Sequence, residues 1–153
     1  MTSLELKIPP PIVALGCAAA MYGLAQLFPS GWVAIPARLH LAIGLAGAGV
    51  AADVAGIWAF RLHRTTINPL TPHKSSSVVQ DGIYRFTRNP MYLGMLLLLS
   101  AWAIGLANLW SLLPLPCFVA YLTRFQIQPE ERSLLAKFGQ PYAQYLQRVR
   151  RWL

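Results

Sequence analysis

Apolar residues along this chain gather into long uncharged runs separated by short, polar and mostly basic stretches. Ile12 to Phe28 is 17 residues without a charge, about 26 Å of helix at about 1.5 Å per residue and close to the roughly 30 Å hydrocarbon thickness of a bilayer. Leu39 to Phe60 is 22 residues long and contains one acid, Asp53. Met91 to Thr123 is uncharged for 33 residues. That is too long for one ordinary span, and it reads as two, with a bend at Gly105-Leu-Ala-Asn108 and with Pro114 and Pro116 bending or starting the fourth helix. One long tilted helix is the alternative. Within the second run Gly44, Ala48, Ala52 and Gly56 recur every fourth position, a small-residue stripe that lets another helix approach closely. The expected fold is all-α: an integral membrane bundle of about four transmembrane helices, with a cytoplasmic loop and C-terminal amphipathic helices. Residues 1–153 form a single domain in this reading.

Composition agrees with the pattern. Of 153 residues 56% are apolar and 12% charged, against about 45–50% and about 25% in an average soluble domain. Mean hydropathy is +0.45 although the formal charge is +8, so basicity and hydrophobicity occupy different stretches. Arg61, Arg64, Lys74, Arg85 and Arg88 lie between the second and third runs, and Arg124, Arg132, Lys137, Arg148, Arg150 and Arg151 follow the fourth. Eleven of the 13 basic residues therefore sit on one side, and the positive-inside rule puts both segments and both termini in the cytoplasm. This topology and anionic headgroups account for the charge without nucleic acid. Lys7 alone is a poor basic flank for a cleaved leader, so the first run is expected to be a crossing. Cys17 and Cys117 lie in apolar runs as small hydrophobes, and the spacing of His40, His63 and His73 suggests no metal site.

Two stretches follow the crossings on the basic side. The loop from Arg61 to Arg88 mixes turn formers (Asn68-Pro69, Thr71-Pro72, Asp81-Gly82) with Val78, Val79, Ile83, Tyr84 and Phe86, which argues for ordering against the membrane face or a ligand. In the tail, Pro129 is expected to start a helix that Gly139 ends, and Pro141 to start another. Tyr142, Tyr145, Leu146, Val149, Trp152 and Leu153 fall at helical spacings beside Arg148, Arg150 and Arg151, the pattern of an interfacial helix anchored on lipid. Oligomeric state is not legible.

Polar chemistry is concentrated in Asp53, in Gly82-Ile-Tyr-Arg-Phe-Thr-Arg-Asn-Pro-Met-Tyr-Leu-Gly94, and in Glu130-Glu131. An acid within a crossing is a functional candidate, and equally a partner for a neighbouring helix. The other two features flank the third and fourth runs, so a short hairpin would bring them to one membrane face. Aromatic Tyr84, Phe86 and Tyr92 can pack on a flat ring, Arg85 and Arg88 can take a carboxylate or phosphate, and the acids can accept from hydroxyls or an ammonium. Helix capping with positive-inside anchoring is the plain alternative.

The order Gly82 to Gly94, then Pro129-Glu130-Glu131, Phe138-Gly139, Tyr142, Tyr145 and Val149 resembles the isoprenylcysteine carboxyl methyltransferase family and its bacterial relatives, to which phospholipid methyltransferases are related. The resemblance covers a cofactor module of about residues 65–153. It implies a membrane enzyme, in a bacterial inner membrane, that uses S-adenosylmethionine to methylate a lipophilic or small acceptor such as a carboxylate, amine or thiol. By the same resemblance Ser76, Ser77, Val78, Val79, Tyr84, Arg88, Asn89, Pro90, Met91, Tyr92, Gly94, Glu130 and Glu131 contact the cofactor. Arg124 is the candidate to orient an anionic acceptor, and Asn89 is the second candidate in the catalytic set. Eukaryotic carboxyl methyltransferases carry His where Asn89 stands, and an amide cannot titrate near neutral pH. Sterol reductases resemble the same C-terminal module, so an NADPH-dependent reductase is the alternative enzyme, and a non-catalytic membrane subunit the third reading.

Overall fold

The computed structural model describes residues 5–64 and 75–153. Six helices account for most of them: α1 (Pro10–Leu27), α2 (Arg38–Leu62), α3 (Pro90–Leu106), α4 (Pro114–Tyr121), α5 (Gln128–Phe138) and α6 (Gln140–Arg148). The turn motifs Asn68-Pro69 and Thr71-Pro72 fall outside the described residues. The first two apolar runs become α1 and α2, both long and apolar enough to cross a bilayer, and only 11% and 17% of their apolar windows are buried against protein. A core helix of a soluble domain would bury its apolar side chains; these present Leu15, Leu27, Ile43, Val54 and Trp58 outward. The third helix is apolar but 17 residues long.

The long third run divides where the sequence predicts. Ala107 takes a left-handed conformation, φ 50°, and ends α3. Asn108 then staples the bend: its Oδ1 accepts from the Trp110 amide at 2.9 Å, and its Nδ2 donates to the Phe28 carbonyl at 2.9 Å. Because a buried bend must satisfy its own backbone groups, an amide side chain here replaces the helical bonds that the break removes.

Helices α2 and α3 make the most extensive pairing in the molecule. The face α2 buries is Gly49, Ala52, Gly56 and Ala59, so the expected stripe holds at Ala52 and Gly56 but not at Gly44 or Ala48, both exposed. Steps of four on a 3.6-residue helix drift steadily around it, whereas alternating steps of three and four stay on one line. A Cβ on Gly49 would stand 2.9 Å from the Gly94 carbonyl, and one on Gly94 would collide with Asp53 Oδ1. Helix α3 packs its other side on α1 and α4 through Met21, Leu99, Ala103, Phe118 and Leu122, with Trp102 Nε1 donating to the Ala18 carbonyl at 3.1 Å.

Pro129 sits in the first turn of α5, as expected, but α5 continues a helical path already under way. Chain conformation is helical from Pro114 through Phe138, with a widened π turn over Leu122–Ile127. Proline has no amide to offer the Phe125 carbonyl, its helical acceptor. The widened turn takes up the mismatch, and Leu6 N donates to Phe125 O at 3.0 Å instead. Gly139 at φ 57° then separates α5 from α6 as expected.

Candidate active site

Where α2 ends and α3 begins, the bundle forms a half-open cavity of about 480 Å³. Three parts of the chain wall its polar end. The segment before α3 contributes Ser77, Val78, Val79 and Tyr84; the start of α3 contributes Arg88, Asn89, Pro90, Met91 and Tyr92; and α5 contributes Glu130 and Glu131. Local chemistry explains why each points there. Gly82, at φ 54°, turns the chain into a single 3₁₀ turn that buries Tyr84, and the Tyr84 ring meets Phe60 of α2 edge-on at 5.4 Å. Pro90 occupies the first turn of α3, where a missing amide is harmless, and Tyr92 projects inward from that turn.

Glu130 is the centre of the cluster. Its Oε1 accepts from Tyr92 OH at 2.7 Å and from Gln126 Nε2 at 2.7 Å. The carboxyl is walled off from bulk water yet reachable from the cavity. Burial pushes its pKa from 4.5 up to about 7; the bonds from Tyr92 and Gln126 oppose that shift, and neighbouring Glu131 adds to it. Glu131 is a different case, held in a three-member ion cluster: Arg88 Nη1 lies 3.2 Å from its Oε1, and Arg151 grips both oxygens at 3.1 and 2.7 Å. Bidentate geometry of this kind fixes orientation as well as charge. Tyr84, Tyr142 and Tyr145 have their pKa values raised by burial, so their hydroxyls stay neutral. Two buried polar atoms at the cavity have no partner among the described residues, Arg88 Nε and Ser77 Oγ. Buried donors are rarely left unpaired in a finished protein.

Eleven of the expected site residues thus meet at one cavity, and three do not. Gly94 packs on Asp53 and Gly49, serving the α2–α3 contact rather than a ligand. Ser76 Oγ donates to the Arg64 carbonyl at 3.2 Å and is absent from the cavity wall. Arg124, on the widened turn, pairs with buried Glu5 at 3.2 Å beside Arg132 at 2.9 Å, also away from the wall. Asn89 borders the cavity, but its Nδ2 donates to the Arg151 carbonyl at 2.8 Å, so its amide positions the tail. Asp53 has Oδ1 buried against α3 without a partner among the described residues.

The tail differs most from expectation. α6 stops at Arg148, and its apolar face, with Tyr142 and Tyr145 buried, covers the cavity instead of lying on lipid. Tyr145 OH donates to the Tyr84 carbonyl at 2.8 Å. Arg151 pairs with Glu131 and Arg148 donates to Gln80 at 2.8 Å, so both make contacts within the protein. Both tyrosines sit three residues apart, a spacing that marks one face without saying what the face covers. Pro9, Pro10, Pro11, Ile57, Phe60 and Met95 give the cavity its apolar lining, and the cluster of three prolines before the first run is the one signal that points to any of them.

Residues 37–141 match the family model for phospholipid methyltransferases. The chain belongs to the phospholipid methyltransferase family. It is accordingly a membrane methyltransferase, in the wider group to which the isoprenylcysteine enzymes are related. A Haemophilus influenzae protein described as uncharacterized is similar to it, 46% identical over 63 residues that span 41% of this chain and 100% of that protein. No solved structure matches the methyltransferase at a significant level.

Proposed function

We propose that the cavity binds S-adenosylmethionine and that the protein transfers its methyl group to a lipophilic acceptor at the cytoplasmic face of the membrane. One observation carries the reading: a half-buried carboxyl pair, an aromatic hydroxyl and an arginine meet at the wall of one cavity. The bound cofactor supplies an electrophilic methyl group on a sulfonium. Aligning such a reaction and excluding water matters more than acid–base chemistry, which suits a site with few titrating groups. Glu130 and Glu131 are placed to receive a ligand's cationic and hydroxyl groups, and Arg88 supplies the cation in the same wall for its carboxylate. Tyr84, Tyr142 and Tyr145 provide flat walls for a ring system.

The apolar end of the same cavity suits the acceptor. α1 with its N-terminal flank and α2 both border it, through Pro9 to Pro11 and through Ile57 and Phe60, yet α2 packs chiefly on α3 and α1 on α3 and the α4 hairpin. A lipid chain can enter between them from the bilayer while the water-borne cofactor enters from the other end. Four crossings, with the third and fourth formed by α3 and by α4 with its widened turn, keep the basic segments on the cytoplasmic side with both termini. Arg124 has no part in this assignment because Glu5 already holds it. In detergent, Glu131→Gln and Tyr92→Ala are expected to weaken S-adenosylmethionine binding at least tenfold by titration calorimetry, about 1.4 kcal/mol. Unchanged affinity in both variants removes the cavity from consideration. Radiolabelled methyl transfer in membranes supplied with phospholipid amines, prenylated carboxylates or small thiols then identifies the acceptor class.

A further inference from the structure

After α6 the chain does not leave the molecule. Residues Val149–Leu153 run extended across the start of α3, beyond residue 141 where the family match ends. Several interactions tie this strap down, among them a bond from Thr87 Oγ1 to the Arg151 carbonyl at 3.5 Å. Arg88 N donates to the Arg150 carbonyl at 3.0 Å and Asn89 Nδ2 to the Arg151 carbonyl at 2.8 Å. Trp152 Nε1 donates to Thr123 Oγ1 at 3.1 Å, on the widened turn between α4 and α5. Arg151 closes a bidentate pair with Glu131. The strap therefore grips both walls of the cavity at once, α3 at its first residues and the helix that carries the two acids.

We propose that Arg151 is a positioning residue for the cofactor site: its fork holds the Glu131 carboxylate and, through it, the guanidinium of Arg88, a residue of the cavity wall. The inference rests on the reading of the cavity as the S-adenosylmethionine site. Its physical basis is charge balance in a partly desolvated cluster. Without Arg151, Arg88 is the remaining cation on Glu131, and the natural response is for its guanidinium to turn and pair with both oxygens, which displaces it and the Glu131 carboxylate from their places in the cavity wall. Lysine at 151 restores the charge but not the fork.

The test compares full-length wild-type protein with Arg151→Ala, Arg151→Lys and Trp152→Phe in detergent, measuring S-adenosylmethionine affinity by calorimetry and KM and kcat for methyl transfer. Arg151→Ala is expected to raise Kd and KM for the cofactor at least tenfold with kcat within about twofold of wild type; Arg151→Lys is expected to recover part of the loss and Trp152→Phe to raise Kd a few-fold. A merely structural tail would instead lower the folded fraction, and with it kcat, at constant KM. Should Arg151→Ala fail to fold, the other two variants decide: wild-type Kd in both overturns the proposal. Wild-type protein that binds no S-adenosylmethionine overturns the cavity reading and this inference with it, whereas normal wild-type binding with unchanged Arg151→Ala affinity overturns this inference alone.

Discussion

Glu130 offers the sharpest test of the site, because its carboxyl is poised to change charge near neutral pH. With its pKa pushed up to about 7 by burial, it is about half ionised at pH 7, about one-tenth at pH 6 and about nine-tenths at pH 8. In the empty protein its ionisation works against folding. The folded pKa lies above the ordinary 4.5, so the stabilising contribution is full below about 4.5 and is lost as pH rises through about 7. A cation in the cavity reverses the preference and draws the proton off. If binding requires the ionised carboxylate, affinity for S-adenosylmethionine should rise about tenfold between pH 6 and pH 8, about 1.4 kcal/mol. Calorimetry at pH 7 in buffers of different ionisation heat should register release of about half a proton per ligand from this group. The ligand's own amino group titrates in the same region, so Glu130→Gln is the control and the difference between the two profiles is the quantity read. Parallel pH profiles for wild type and Glu130→Gln would refute the reasoning.

Other consequences follow from single contacts. Tyr92→Phe removes a bond that favours the ionised form of Glu130, and is expected to move the midpoint of the binding profile to higher pH while retaining the ring; an unmoved midpoint counts against the bond. Gly94→Ala puts a methyl group 2.8 Å from the Gly49 carbonyl and against Asp53, and should destabilise the α2–α3 pair by about 1–3 kcal/mol in detergent unfolding, the usual range for overpacking. Asn108→Ala deletes both side-chain bonds at the bend, and should lower stability by about 1–3 kcal/mol with cofactor affinity unchanged, since the bend lies at the opposite end of α3 from the cavity.

Much of the architecture was open to reading from the chain alone, because its determinants are local. Apolar runs of 17 and 22 residues became α1 and α2 within two residues of their expected ends. The break near Asn108 and the stop at Gly139 follow from backbone preferences that act within one turn. Pro129 marked the first turn of α5 as read; the π turn that joins α5 to α4, with Leu6 N donating to the Phe125 carbonyl, was not legible.

What needed the folded chain was every assignment that depends on a partner far along the sequence. Arg124 reads as a free cation until Glu5, 119 positions away, is seen against it. Arg151 reads as a lipid anchor until its carboxylate, 20 positions back, is found within reach. Amphipathic spacing in α6 shows that Tyr142 and Tyr145 share a face; whether lipid or a cavity lies beneath it depends on how the tail crosses α3. Hydrophobic length and backbone chemistry are properties of adjacent residues and survive in the linear text. Charge pairing and burial depend on distances between residues remote in the chain, and those exist only once the helices have packed.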